Sequence, residues 1–360
     1  MSEKKLLKIA LITSFPLDLT IGSGVVRMVL GYAAAFKFLD HQVKIFHPQF
    51  KAKSYLNLAV KRLAFNKSLS FPQDRFDLVL VSDFDGFILK HLNIPKIALN
   101  AGILADIIRF ETGQTRHILT HLAKRECQNV KSSDLVVAPS KYTASKIKEY
   151  YQVEEQKIAV VPLGIDLPFW KLFRKNSGRL KSNSIHILCV ARHYPRKGIA
   201  DLLKAFKKVI ASHIHIHLTL VGGGPQLNQN RRLANQLNIS ANVSFVGDLG
   251  NQQQLAEYYQ NADIFCLPSY HETFGLVFLE AMFFDLPIVA YASSAVPEVV
   301  DNGCGFLCPP GDVDCLSKKL LILAQNEQLR KIMGQKGKLN VERFSWLNSA
   351  RELLRLWGKS

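Results

Sequence analysis

Nowhere in the 360 residues does an apolar run reach the roughly 18 positions that a membrane-spanning helix needs. The opening MSEKKLLKIALITSFP has a basic start, a short apolar stretch from Leu6 to Ile12, and then Pro16. It lacks a small-residue cleavage site, so it reads as a first β-strand and not as a leader peptide. Cysteine is sparse, with six residues at 127, 189, 266, 304, 308 and 315. The last three cluster as C-x3-C-x6-C, which is no zinc spacing, and reduced thiols in a cytoplasmic chain are expected. A GxGxxG dinucleotide fingerprint is missing, as are zinc-finger, basic-zipper and RNA-binding aromatic patterns, so nucleic acid is set aside as a partner. Acidic residues are short as well, 29 against 46 basic ones, a net charge of +17 that calls for an anionic partner. The excess is +8 over residues 1–170 and +9 over the remainder, so it does not sit in a tail.

What is present is a soluble globular composition, 48% apolar and 21% charged, long enough for two domains. Short β-branched runs alternate with amphipathic stretches. LLKIALIT, VKIFHP, FDLVLVS, PKIALN, DLVVAPS and IAVVPLG read as strands in the first half, with helices between them at Val25–Leu39, Leu56–Phe65 and Tyr142–Tyr150. The stretch KLFRKNSGRLKSNS then carries five basic residues and no acidic one, a composition shift that marks a boundary. IHILCVAR, IHLTLVG, VSFVG, DIFCLPS and PIVAYA restart the alternation, and beyond residue 312 the chain reads as helical. Alternation of this kind predicts an α/β protein with two Rossmann-like, doubly wound parallel sheets. The expected layout is a first domain over 1–168, a basic linker over 169–184, a second domain over 185–340 and a final helix over 341–360.

In doubly wound sheets ligands bind beyond the carboxyl ends of the strands, so the loops there should carry the chemistry. Gly22-Ser23-Gly24 precedes the first helix, where glycines let backbone N–H groups approach an anion; a plain tight turn explains it equally well. VGGGP at 221–225 is a second glycine loop. After IHILCVA come Arg192, Arg196 and Lys197 within six positions. These form either a solvated basic loop or a clamp for a diphosphate, to which Arg192 offers a planar fork and Lys197 a point charge. HETFGLVFLEAM, residues 271–282, places Glu272 before a turn and Glu280 inside an apolar run that reads as a buried helix. A carboxylate there is costly unless hydrogen-bonded. Eight residues of helix span about 12 Å, the length of a sugar nucleotide from sugar to ribose. The N–H groups of Phe274, Gly275 and Leu276 would open the helix toward an anion between the two carboxylates.

E-x7-E followed by Ala-Met, with AR…RKG, LVGGGP, VSFVGD, ADIFCLPS and VPEVV…GFLCPPGD, resembles the family 4 type of retaining glycosyltransferase. The resemblance covers residues 185–345 in order and spacing, and is looser in the first half. It implies a GT-B fold, two Rossmann-like domains facing a cleft with the last helix crossing back to the first, acceptor-binding domain. By the same resemblance Glu280 binds ribose hydroxyls and Glu272 contacts the transferred sugar. Arg192 and Lys197 hold the diphosphate, and the backbone around Phe245 and Val246 borders the base. Arg192, Lys197 and Glu272 are thus the expected catalytic residues. Gly22, Gly24, Phe245, Val246, Phe274, Gly275, Leu276 and Glu280 are the expected donor-binding ones.

The implied reaction moves a sugar from a nucleoside-diphosphate sugar to an acceptor hydroxyl with retention, in polysaccharide, glycolipid or other glycoconjugate synthesis. It expects no metal and no cofactor beyond the donor substrate; Asp83-Phe84-Asp85 is read as a loop. Two departures from the family stand out. Leu99-Asn100-Ala101-Gly102 lies where many relatives carry a histidine, and Ser293-Ser294-Ala295 replaces a glycine-rich turn. The first leaves open a catalytically impaired nucleotide-sugar- or glycan-binding protein; a nucleotide-sugar epimerase is another alternative. Expected partners are the donor, a glycan or lipid-linked acceptor, and an anionic membrane surface at the inner face of the membrane. For the last, Lys51, Lys53, Lys61, Arg62 and Lys67 supply charge and Leu56, Val60 and Leu63 apolar contact.

Overall fold

The computed structural model describes residues 6–18, 23–52, 55–174, 184–212, 215–301 and 303–358. The chain divides into two compact units, one of residues 1–164 with 345–360, the other of 165–344. Each holds a six-stranded, wholly parallel sheet. Among the described residues no helix is long and apolar enough to cross a membrane.

Unit 1 is built on β1 (Lys8–Ile12), β2 (Gln42–Phe46), β3 (Leu78–Ser82), β4 (Lys96–Leu99), β5 (Leu135–Ala138) and β6 (Ile158–Val160). Their order across the sheet is β2-β1-β3-β4-β5-β6. β3, LVLVS, is buried along its whole length, as a strand covered on both faces must be. The helices α1 (Ser23–Phe38), α2 (Tyr55–Ser68), α3 (Leu104–Ile107), α4 (Gly113–Lys131) and α5 (Lys141–Tyr151) fill the crossovers. The chain's last helix, α14 (Trp346–Trp357), belongs to this unit and packs on α1. Two glycines make room for Trp346: a Cβ at Gly31 would meet its indole at 2.2 Å, and one at Gly164 would meet its backbone nitrogen at 2.1 Å.

Unit 2 contains β7 (Ile185–Val190), β8 (Ile216–Val221), β9 (Val243–Gly247), β10 (Ile264–Leu267), β11 (Ile288–Tyr291) and β12 (Gly305–Cys308), in the order β12-β11-β10-β7-β8-β9. Between them run α6 (Leu167–Phe173), which precedes the sheet, then α7 (Ile199–Ile210), α8 (Leu227–Gln236), α9 (Gln252–Asn261), α10 (Leu276–Phe283) and α11 (Val296–Val299). α12 (Val313–Gln325) and α13 (Glu327–Val341) follow. Asp312 and Asn251 cap α12 and α9 by accepting from Cys315 N at 2.8 Å and Gln254 N at 2.9 Å. His217 of β8 lies 2.8 Å through its Nε2 from Ser244 Oγ of β9, a hydrogen bond on the sheet face.

Three expectations need correction. The strand β12 was hidden in a glycine- and proline-flanked GFLC too short for an alternation to show. The division falls after Gly164 and not after 168, because α6 buries Trp170 against Tyr259 and Phe284 of unit 2. The expected basic linker therefore begins inside a packed helix; its residues 175–183 lie outside the described ones. Reduced thiols throughout were also expected, yet Cys308 and Cys315 form a disulfide, with their Cα atoms 5.7 Å apart. The end of β12 and the first turn of α12 are brought together by the Pro309-Pro310-Gly311 turn, a proximity that linear spacing did not reveal.

Unit 1 also buries two carboxyl groups under the carboxyl ends of β3 and β4. Asp83, in the left-handed region at φ 50°, accepts from Ala101 N at 3.2 Å. Glu126 accepts from Leu104 N at 2.8 Å and from Tyr151 Oη. Burial pushes Asp83 up to about 7, and burial together with the charge of Asp83 pushes Glu126 up to about 8. A carboxyl raised in the native state holds a proton that the unfolded chain has already shed, so stability falls as pH rises from about 5 to 8. Urea titrations across that range should show Glu126→Gln losing stability with pH less steeply than wild type. The difference approaches about 1.4 kcal/mol per pH unit, the weight of one proton. Equal slopes would contradict it.

Candidate functional site

In unit 2 the strand order reverses between β7 and β10, and the loops leaving these two strands form the crevice where doubly wound sheets bind ligands. Nearly all residues singled out in the second half converge here. Beyond β7 come Arg192 and His193, then a short 3-10 turn over Pro195–Lys197 and Gly198 at φ 64°, which opens α7. Beyond β10 come Ser269, Tyr270, His271 and Glu272, then Gly275 at φ 92° opening α10.

The two loops are tied backbone to backbone. Tyr270 N donates to the Arg196 carbonyl at 2.7 Å, and Ser269 Oγ to the same oxygen at 3.0 Å. Gly198 lies so close to the β10 loop that a Cβ would stand 2.0 Å from the Pro268 carbonyl oxygen. On this frame Lys197 Nζ donates to Glu272 Oε1 at 2.6 Å. Both side chains are mostly buried, 17% and 10% exposed, so the pair is shielded from water and its charges interact strongly. Arg192, by contrast, is exposed, its guanidinium 6.0 Å from the Tyr194 ring centre.

The glycines of VGGGP brace the loop after β7 from behind. A Cβ at Gly222 would stand 2.2 Å from the Ala191 carbonyl oxygen, and one at Gly224 would stand 2.6 Å from His193 N. His193 N donates to the Gly223 carbonyl at 2.7 Å, and Gln226 N to the His193 carbonyl at 2.9 Å. His193 is fully buried with Asn230 Nδ2 3.0 Å from its Nδ1; burial pushes its imidazole down to about 4, so it is neutral at physiological pH. It adjoins Phe245 of β9, the ring centres 6.1 Å apart, while Val246 beside it is half-buried.

α10 explains how an acid survives in an apolar helix. Glu280 is 2% exposed, and Tyr259 Oη of α9 donates to its Oε2 at 2.8 Å. Phe274 turns its ring into the core, edge-on to Phe344 at 5.6 Å, so toward a ligand it offers backbone. Leu276 is the first helical residue, at the amino end where amides have no partner in their own helix. In place of a glycine-rich turn, Ser294 adopts φ 51° and Ser293 Oγ donates to the Tyr270 carbonyl at 2.6 Å, so serines hold the β10 loop there.

Two expected donor residues belong to the first half of the sequence. Gly24 lies in unit 1, in the first turn of α1, where a Cβ would meet nothing within 4 Å; crowding does not explain its glycine. Gly22 lies outside the described residues. Sequence reasoning missed Tyr259, His193 and the bracing role of Gly198. For Gly198 the positively charged run ahead of a helix was the usable signal; for Tyr259, a plain helical tyrosine, there was none.

The family model for glycosyl transferases group 1 matches residues 171–340, and that for glycosyltransferase family 4 matches residues 22–169. The chain is 33% identical over 224 residues to an MMP alpha-(1->4)-mannosyltransferase of Mycolicibacterium hassiacum, an alignment covering 61% of this chain and 53% of that one. It thus spans about half the length of that relative. To N-acetyl-alpha-D-glucosaminyl L-malate synthase of Bacillus anthracis it is 27% identical over 345 residues, 89% of each chain. A sucrose-phosphate synthase structure from Thermosynechococcus elongatus matches 98% of each chain with a TM-score of 0.76 at 19% identity, a likeness of fold. With one model on each unit, the chain belongs to glycosyltransferase family 4 and has the GT-B fold.

Proposed function

We propose that the chain transfers a glycosyl unit from a nucleoside-diphosphate sugar to an acceptor hydroxyl, with retention and without a metal ion, in glycan or glycolipid synthesis. The observation that carries this is the buried Lys197–Glu272 pair at the unit 2 switch point, beside the open amino end of α10. A diphosphate at that place meets a point charge from Lys197, a fork from Arg192 and the positive end of α10. These groups stabilise the negative charge that develops on the leaving diphosphate, the role a metal plays elsewhere. Glu272, held by Lys197, presents its second oxygen to the sugar hydroxyls. Glu280, steadied by Tyr259, accepts from the ribose. No nucleophilic carboxylate is assigned, and the leaving diphosphate itself takes the acceptor proton on the front face. An impaired binding protein is separated from an enzyme by donor hydrolysis.

Arg192→Ala and Lys197→Ala should each lower turnover about a hundredfold or more, the usual cost of losing one oxyanion-type contact. Turnover should persist in EDTA, and the product should keep the donor's anomeric configuration. Glu280→Gln should instead weaken nucleoside-diphosphate affinity, because an amide is the poorer acceptor for two hydroxyls. Turnover within a fewfold of wild type for both cation variants would place the clamp elsewhere.

We also propose that the first unit docks on anionic lipid through α2, though by fewer groups than its sequence suggested. Arg62, expected on the docking face, is only 6% exposed and points into the unit. Lys61 Nζ donates to the Lys51 carbonyl at 2.9 Å, and Lys53 lies outside the described residues. What remains outward is Leu56, 41% exposed, Val60, 55% exposed, and the exposed Lys51 and Lys67. Co-sedimentation with anionic vesicles should weaken with salt and drop in Val60→Ser with Lys67→Ser. Protein that stays in the supernatant at low salt would remove the membrane from this account.

A further inference from the structure

The unit 1 sheet has its own switch point, between β1 and β3, and the crevice beyond their carboxyl ends is occupied by one side chain that nothing so far employs. That side chain is Arg62, sent inward from α2. Its guanidinium lies between two aromatic faces, 3.7 Å from the Phe15 ring centre and 4.2 Å from that of Phe84. Phe15 follows β1 and Phe84 follows β3, so the cation is held between the loops that leave the two switch-point strands.

An arginine buried in this way usually serves a neighbouring carboxylate, and Asp85 is close. Yet Asp85 is already satisfied by others. Its Oδ2 accepts from Ser14 N at 2.6 Å and Ser82 Oγ at 2.9 Å, and its Oδ1 from Asn66 Nδ2 at 2.9 Å. Arg62 NH2 stands 3.9 Å from Asp85 Oδ2, too far for a hydrogen bond. Of the guanidinium nitrogens, Nε donates to Ser14 Oγ at 2.7 Å, whereas NH2 is buried with no hydrogen-bond partner among the described residues. A buried charged donor without an acceptor is expensive, and this NH2, on a guanidinium held flat by two rings, is ready to donate to a phosphate or carboxylate oxygen. Asp85 neutralises part of the charge, which lets the arginine remain buried when nothing is bound.

The geometry points to an anion-binding subsite in unit 1 with Arg62 as its hook, taking a phosphate or carboxylate group. Under the proposed glycosyl transfer, the subsite holds an anionic group carried by the acceptor; the anion site itself stands on Arg62's geometry and does not need that reaction. The chemistry is distinct from that of the unit 2 clamp, where a lysine, an exposed arginine and a helix end await a diphosphate.

Protein labelled with nitrogen-15 in arginine, and kept saturated with a nucleoside diphosphate, tests this directly. The Arg62 Nε–H signal, identified by its loss in Arg62→Lys, is followed while inorganic phosphate or succinate is added. The expected result is a saturable shift of the Arg62 signal with the Arg192 signal unmoved; the tighter of the two probes names the anion. In equilibrium dialysis the Arg62→Lys protein, which keeps the charge beside Asp85 and so its fold, should bind the probe about tenfold or more weakly, as loss of a charged hydrogen bond implies. An Arg62 signal that stays still, or a lysine variant that binds as well as wild type, would overturn the subsite. Should the nucleoside diphosphate fail to bind while the Arg62 signal still shifts, the donor assignment fails and the anion subsite stands.

Discussion

The hydrogen bond from Lys197 to Glu272 joins two charged side chains across loops already tied to each other through their backbones. One loop leaves β7 and the other leaves β10, strands that pair in the sheet although Lys197 and Glu272 lie 75 residues apart in the sequence. Their backbones approach so closely that Gly198 cannot carry a side chain, and the pair of opposite charges then fixes what each loop presents. Behind it, the glycines of 222–224 press against Ala191 and His193 and set the direction from which Arg192 leaves the strand. The arrangement of the proposed clamp therefore follows from backbone proximity first and from charge second.

The first unit uses the same topological feature for a different balance of charge. Its switch point holds an arginine sandwiched by aromatics, a carboxylate with its full set of donors, and two further acids whose protonation burial favours. Asn100, the residue after β4, is 1% exposed and donates from Nδ2 to Glu126 Oε1 at 3.4 Å. Its carbonyl oxygen has no partner among the described residues.

Much of this was legible in the amino-acid order. Buried parallel strands announce themselves as β-branched runs, and eleven of the twelve were visible that way; β12 was not, because four residues between glycine and proline carry too little pattern. The E-x7-E spacing marked α10, and the resemblance placed Glu272 beside the cations. It did not say that Glu272 and Lys197 would bind each other, since that depends on strands meeting in space. Arg62 was misread for a related reason. On a helix it looked like one more surface cation among lysines, and only the aromatic residues after β1 and β3, forty-seven and twenty-two positions away, turn it inward. Cys308 and Cys315 were likewise too ordinary in spacing to signal a bond.

The central claim is that a diphosphate binds at the unit 2 switch point, between the Arg192–Lys197 loop and the amino end of α10. A crystal structure of the protein soaked with a nucleoside diphosphate tests it most directly. The account predicts phosphate density within hydrogen-bond distance of Arg192, Lys197 and the first amides of α10, with the ribose against Glu280. Density for the diphosphate anywhere else in the second unit, with these groups untouched, would contradict it.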